Sequence, residues 1–146
     1  VTLVETQAVL MAEFLAMKNS QERFAYVVRR GRQYHGLPPE EKNDGTLIKS
    51  CLAKAWFVAD FADGRCQFRV DSESAIVKGI AVILCEFYNG RTPEEILSID
   101  PTFLEKAGID QHLTPNRRNS LSKIWERIHS FANEHRKGAS LPGAKS

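Results

Sequence analysis

The sequence predicts an α+β fold: a small three-stranded antiparallel sheet with helices packed on one face. Three observations predict it. Apolar residues repeat at helical spacing at both ends of the chain, as Val4, Ala8, Met11 and Leu15, and as Leu121, Ile124, Ile128 and Ala132. Between them an aromatic-rich run, Ala55 to Phe61, meets an Asp63-Gly64 turn and a cleanly alternating run, Arg65 to Val70. Directly after that hairpin come Ile76, Ile80, Ile83 and Phe87, with Val77, Ala81, Leu84 and Tyr88 as a second stripe. A helix so apolar belongs in the core, lying across a sheet.

Each element follows in order. A first helix is predicted from about Glu5 to Met17, with Leu10, Phe14 and Met17 beside its stripe. Asn19-Ser20 caps a second, which runs to about Tyr34 before Gly36 and Pro38-Pro39 end it. Glu40 to Thr46 is polar, with an Asp44-Gly45 turn. Leu47 to Lys49 is the first strand. The run from Leu47 to Phe61 exceeds an ordinary strand, so it must break, and Ser50-Cys51-Leu52-Ala53 is where. In Ala55 to Phe61, Trp56 and Val58 point one way and Phe57, Ala59 and Phe61 the other. On the return strand Cys66, Phe68 and Val70 face the core, while Arg65, Gln67 and Arg69 face water. Asp71-Ser72 is expected to cap the buried helix, with Glu73 in its first turn, and Asn89-Gly90 ends it. Thr92-Pro93-Glu94-Glu95 is a capping box opening a short helix to about Ser98. Another begins at Asp100-Pro101 and stops at Gly108. Thr114-Pro115 opens the last and longest, where Trp125 and Phe131 join the stripe. Residues 1–137 thus read as one domain and residues 138–146 as a disordered tail.

Composition narrows the function classes. The chain has 146 residues, 26% of them charged, with a net charge of +2. Lys and Arg are interspersed with Asp and Glu, which argues against nucleic acid as the main partner. There is no apolar run of membrane length and no signal-peptide pattern, so a soluble, cytoplasmic protein is expected. The first residue is Val1, so an initiator and a short stretch before it are expected. Cys51, Cys66 and Cys85 are odd in number and lack CxxC spacing, which predicts reduced thiols rather than a disulfide framework. No Cys or His lies at a zinc-finger spacing from another, and no Ser-His-Asp arrangement, HExxH or glycine-rich phosphate loop is present.

Two stretches carry candidate chemistry. Cys51 sits at the strand break, on a loop held by two strands, with Lys49 and Lys54 on either side to favour the thiolate. The competing reading makes it a small apolar filler. Cys66 shares the inward strand face and Cys85 lies in the most apolar helix, so both read as structural. The second stretch is Gln111-His112-Leu113-Thr114-Pro115-Asn116-Arg117-Arg118. Its helix N-terminus and Arg117 suit an anionic sulfur, a carboxylate or a partner's acidic side chain. Taken alone, the better reading is a well-made cap with solvated arginines. Asp71 by itself reads as a structural residue between strand and helix.

Taken together these pieces resemble the SufE family, the sulfur acceptors of iron–sulfur cluster assembly. The resemblance spans roughly Gln21 to Phe131. It rests on the loop Cys51…Trp56, on Asp71-Ser72-Glu73-Ser74-Ala75-Ile76-Val77-Lys78-Gly79, on Thr92-Pro93 with its following Ile-Leu, and on Gln111 through Arg117. It implies a fold shared with the scaffold protein IscU. It also implies that Cys51 is the sulfur-accepting cysteine, carried as a persulfide, sheltered in an apolar hollow and swung out to a partner. Leu52, Trp56 and Phe57 are the residues expected to build that hollow. Asp71, Arg117, His112 and Lys54 become partner-binding or loop-positioning residues. The implied partners are a PLP-dependent, SufS-like cysteine desulfurase and a SufBCD-like cluster scaffold, with a possible homodimer. PLP stays on the desulfurase; no cofactor or metal is expected on this chain. The chain departs from the family at Ser50, where Gly is usual, at Ala53, where Ser is usual, and at Lys54, where an uncharged polar residue is usual. Three alternatives stay open: a CsdE-like acceptor for another desulfurase, an IscU-like cluster or metal scaffold needing several converging thiolates, and a cysteine hydrolase or transferase in which His112 assists Cys51.

Overall fold

The structure is a computed structural model that describes residues 2–49, 53–109 and 113–137. Its order is α1 (Leu3–Ala16), α2 (Ser20–Gln33), a single 3-10 turn (Pro39–Glu41), β1 (Ala55–Ala62), β2 (Arg65–Ser72), α3 (Ala75–Tyr88), α4 (Pro93–Ser98), α5 (Phe103–Lys106) and α6 (Pro115–His135). The α+β class holds. The sheet among the described residues has two strands rather than three.

The hairpin follows from local chemistry. Asp63 (φ 54°) and Gly64 (φ 77°) both take the left-handed conformation that a two-residue hairpin turn needs. The turn sets an antiparallel register pairing Ala55 with Ser72, Phe57 with Val70, Ala59 with Phe68 and Phe61 with Cys66. Alternation then puts Phe57, Cys66, Phe68 and Val70 on the inner face, where all are buried. The expected third strand shrinks to one bridge, Leu47 to Trp56, closed by Ile48 N–H to the Ala55 carbonyl (2.7 Å) and Phe57 N–H to the Thr46 carbonyl (2.9 Å). Before it, the Asn43 carboxamide oxygen accepts from the Gly45 and Thr46 amides and holds a turn. After it the chain must leave for the loop. Only the residues around Leu47 remain for pairing.

α3 lies across the inner face. Ser74 is its N-cap, its hydroxyl accepting from the Val77 amide, so the helix starts later than Asp71-Ser72 implied. Those two residues extend β2 instead. α2 crosses α3 at glycine. A Cβ on Gly31 would stand 2.6 Å from the Ala75 carbonyl oxygen, and one on Gly79 would stand 2.8 Å from the Val27 carbonyl carbon. α6 closes the core with Leu121, Ile124, Ile128 and Ala132 buried, and Phe131 meets Phe68 edge-on at 5.8 Å. Capping boxes open α1 (Thr2, Glu5) and α4 (Thr92, Glu95), and Thr114 caps α6. The helix expected from Asp100-Pro101 reduces to the single turn of α5 before Gly108.

α1 buries a different face from the stripe its spacing picks out. Leu3 and Phe14 are buried, whereas Val4 and Leu15 are 64% and 57% exposed. The helix is apolar nearly all round, so periodicity cannot choose its inward side. Among the described residues no helix is long and apolar enough to cross a membrane.

Candidate functional site

Cys51 lies outside the described residues, as do Ser50, Leu52, Gln111, His112 and the tail 138–146. Both flanks of the cysteine are placed, and they define the base of its loop. On the N-terminal arm, Ile48 is buried and pinned to Ala55 by its amide hydrogen bond. On the C-terminal arm, Lys54 is gripped through its backbone. Its amide donates to Glu73 Oε1 (3.0 Å), and its carbonyl accepts from the Glu73 amide (2.9 Å) and the Ser72 hydroxyl (3.0 Å). The two described flanks, Ile48 and Lys54, are therefore both held on the hairpin. Glu73 was expected only in a helix first turn. The register that pairs Ala55 with Ser72 is what sets residue 54 against residue 73.

The C-terminal arm opens onto a cavity of about 290 Å³ lined by Ala53, Ser74, Val77, Thr114, Asn116 and Arg117. It joins the loop, the start of α3 and the start of α6. Arg117 supplies the charge, and its amide donates to the Thr114 hydroxyl. Arg117 is thus brought beside Ala53, the described C-terminal flank of the cysteine stretch. Ser74 and Val77 were not anticipated there, because nothing local in their spacing signals a cavity. The arrangement presents a guanidinium and helix N-terminal amides to whatever occupies the space, a setting that favours an anion.

Asp71 stands elsewhere. It is 5% exposed, on the outer side of β2 across from Trp56. Its Oδ2 accepts from the Leu37 amide (3.0 Å) and faces Lys42 Nζ (3.1 Å); its Oδ1 accepts from the Ser72 amide (2.9 Å) and lies 3.5 Å from Lys78 Nζ. Burial pushes its pKa up, but these amides and lysines outweigh burial and hold the carboxyl below its ordinary 3.8. Gly36 (φ 78°) passes so close that a Cβ there would lie 2.8 Å from Asp71 Oδ1. The role of Asp71 is therefore to fasten the 36–42 segment and the entry of α3 to β2. Lys42 also covers the Trp56 ring, at 5.3 Å from its centroid.

Of the residues expected to build the hollow, Leu52 lies outside the described residues, and Trp56 and Phe57 do not face the same side. Neighbouring strand residues point to opposite faces, so Phe57 stacks on Phe68 inside the core (5.7 Å) while Trp56 lies under Lys42 outside. Cys66 and Cys85 are buried at 0% and 2% exposure. Burial, with Glu94 adding repulsion, pushes the Cys66 thiol up to about 11. Burial also raises the Cys85 thiol, with Glu86 adding to it. Neither is set to be a thiolate ligand or nucleophile. Among the described residues no group of three His, Cys, Asp or Glu is placed to hold a metal ion.

Comparison with known proteins places this geometry. The fold resembles the solution structure of a hypothetical protein from Thermus thermophilus, with a TM-score of 0.68, 20% identity, and coverage of 86% of this chain and 92% of that one. That likeness concerns the fold alone. Residues 8–132 match the SufE family, described as the Fe-S metabolism associated domain, and the chain belongs to that family. An uncharacterized SufE-like protein of Synechocystis sp. is 28% identical over 131 residues, covering 90% of this chain and 82% of the relative.

Proposed function

We propose that this protein is a sulfur acceptor for a PLP-dependent, SufS-like cysteine desulfurase, carrying sulfur as a persulfide on Cys51 toward a SufBCD-like cluster scaffold in the cytoplasm. Membership of a family tied to iron–sulfur metabolism supports the class. The observation that carries the site is that both described flanks of Cys51, at Ile48 and Lys54, are held on the hairpin, with Ala53 lining the Arg117 cavity. A loop so held offers one thiol to a partner while its base stays in register with the sheet.

The step is a thiol exchange. The Cys51 thiolate attacks the terminal sulfur of the desulfurase persulfide. A new S–S bond forms at Cys51, the desulfurase S–S bond breaks, and its electron pair leaves with the desulfurase thiolate. One sulfur atom moves with its proton; no external oxidant or reductant is consumed. Arg117 supplies positive potential near the loop for the anionic sulfur or for a partner carboxylate. Lys49 and Lys54 favour the attacking thiolate.

The test is sulfur mapping. The protein is mixed with a cysteine desulfurase and cysteine, and digested without reductant for mass spectrometry. Added sulfur should appear on Cys51 and vanish in Cys51→Ser, together with stimulation of the desulfurase. Full stimulation by Cys51→Ser, or sulfur only on Cys66 or Cys85, sinks the reading.

A further inference from the structure

We propose that a second cleft, on the N-terminal arm of the loop, is a docking site for an acidic segment of the sulfur-donor protein. The naming of the donor rests on Cys51 being the acceptor; the preference for an acidic segment does not. The cleft, about 530 Å³, lies between residues 44–49 and α6. Lys49 lines it from the arm, and Lys123 and Arg127 line it from α6. Those two are four residues apart, so they share one helix face.

Among the described residues the fold leaves these three groups without an ion pair. The ion pairs among the described residues join Arg30 to Glu86, Lys42 and Lys78 to Asp71, Arg69 to Glu41 and Asp60, and Arg91 to Glu95. None involves Lys49, Lys123 or Arg127. Asp44 and Glu126 also line the cleft, yet neither comes within ion-pair reach of those cations. Arg127 uses one donor on the Leu47 carbonyl at 3.4 Å, which leaves the rest of its guanidinium fork open. Lys49, Lys123 and Arg127 thus outnumber Asp44 and Glu126 around one open space, and a segment bearing carboxylates meets that positive excess. On the other arm Arg117 is the one charged residue lining its cavity among the described residues. Positive charge thus stands on both sides of the loop.

Position gives the cleft its purpose. Two residues of extended chain span at most about 7 Å between Cα atoms, so Cys51 is tethered that close to Lys49. A donor held in this cleft has its reactive persulfide within reach of Cys51. Electrostatic contacts of this kind act mainly on encounter and orientation, and they weaken with salt.

A hexaglutamate peptide is the probe, titrated into the isotopically labelled full chain and followed by amide NMR, with hexalysine as the charge control. Hexaglutamate should shift the Leu47, Lys49, Lys123 and Arg127 amides, and less so as salt rises. The Lys123→Glu/Arg127→Glu double variant should lose those shifts. It should also need about tenfold more protein for half-maximal desulfurase stimulation, at an unchanged maximal rate. The neutral Lys123→Gln/Arg127→Gln pair should fall between, which separates charge from folding. Shifts that are absent or elsewhere, equal shifts with hexalysine or a single-stranded oligonucleotide, or an unaffected double variant overturn the proposal. If wild-type Cys51 gains no sulfur while the peptide shifts persist, the acceptor reading and the naming of the donor fall, and the acidic-segment site stands.

Discussion

Asp71 commits both carboxylate oxygens to neighbours from three segments: the Leu37 amide and Lys42 from the loop, the Ser72 amide from its own strand, and Lys78 from α3. A buried carboxylate with that many donors is stable as an anion. Because its folded pKa is depressed below the ordinary 3.8, the associated stability is fully present above the unfolded value. It is lost as pH falls through the lowered folded value. Asp71→Asn should therefore cost about 1–3 kcal/mol at neutral pH. Its urea midpoint should also be flatter than the wild type's between about pH 5 and pH 2. Equal slopes in that window would mean that Asp71 is not the group responsible. The cysteines make a second residue-scale contrast. Cys66 and Cys85 are buried thiols with raised pKa values, so iodoacetamide should leave both unmodified in the native protein near pH 8. The same reagent should modify Cys51 first, and all three only in denaturant, as counted by intact mass.

At the scale of elements, the α2–α3 crossing is the tightest constraint. Gly31 and Gly79 let two backbones approach where any side chain would strike main-chain atoms rather than a movable tip. Gly79→Ala should destabilise the protein by about 1–3 kcal/mol or more despite alanine's better helix propensity. Urea denaturation measures this, and a neutral or stabilised Gly79→Ala would show that the helices separate without cost. That crossing also marks what periodicity reads well and poorly. The spacing of Phe24, Val27 and Val28 already located α2, and the Ile and Val stripes located α3, because strong patterns of buried residues repeat over several turns. The caps at Asn19, Thr92 and Thr114 were legible for the same local reason. The missing third strand was not. Leu47-Ile48 is apolar enough for a strand, but pairing length depends on where Ile48 and Thr46 meet Ala55 and Phe57, a long-range fact. The start of α3 moved to Ser74 because strand pairing carried Asp71 and Ser72 onward past their capping chemistry. Of the site, the flanks of the Cys51 stretch and Arg117 could be picked out as separate stretches. The meeting of Ala53 and Arg117 in one cavity with Ser74 and Val77 was not, since no local spacing encodes the approach of α6 to residue 53.

Across the whole molecule, the placement of Ile48 and Lys54 depends on one core. Phe57 stacks on Phe68 (5.7 Å), Phe68 meets Phe131 (5.8 Å), and Tyr88 stacks on Trp125 (5.4 Å), so sheet, α3 and α6 share a continuous apolar interior. Nothing in that interior separates the hairpin carrying the loop's C-terminal arm from the helix flooring both cavities. The protein should then unfold as one unit. Trp56 on β1 and Trp125 on α6 are natural reporters for the two halves. Single-tryptophan variants, Trp56→Phe and Trp125→Phe, should each show one urea transition, and within each variant fluorescence and far-UV dichroism should share a midpoint. Phe68→Ala removes the ring at the centre of the stack and should lower stability by about 3–5 kcal/mol. In that background both reporters should shift together. If the Trp56 signal melts first while the Trp125 signal holds, the hairpin is a separate cooperative unit, and the hold on Ile48 and Lys54 is weaker than the shared core implies.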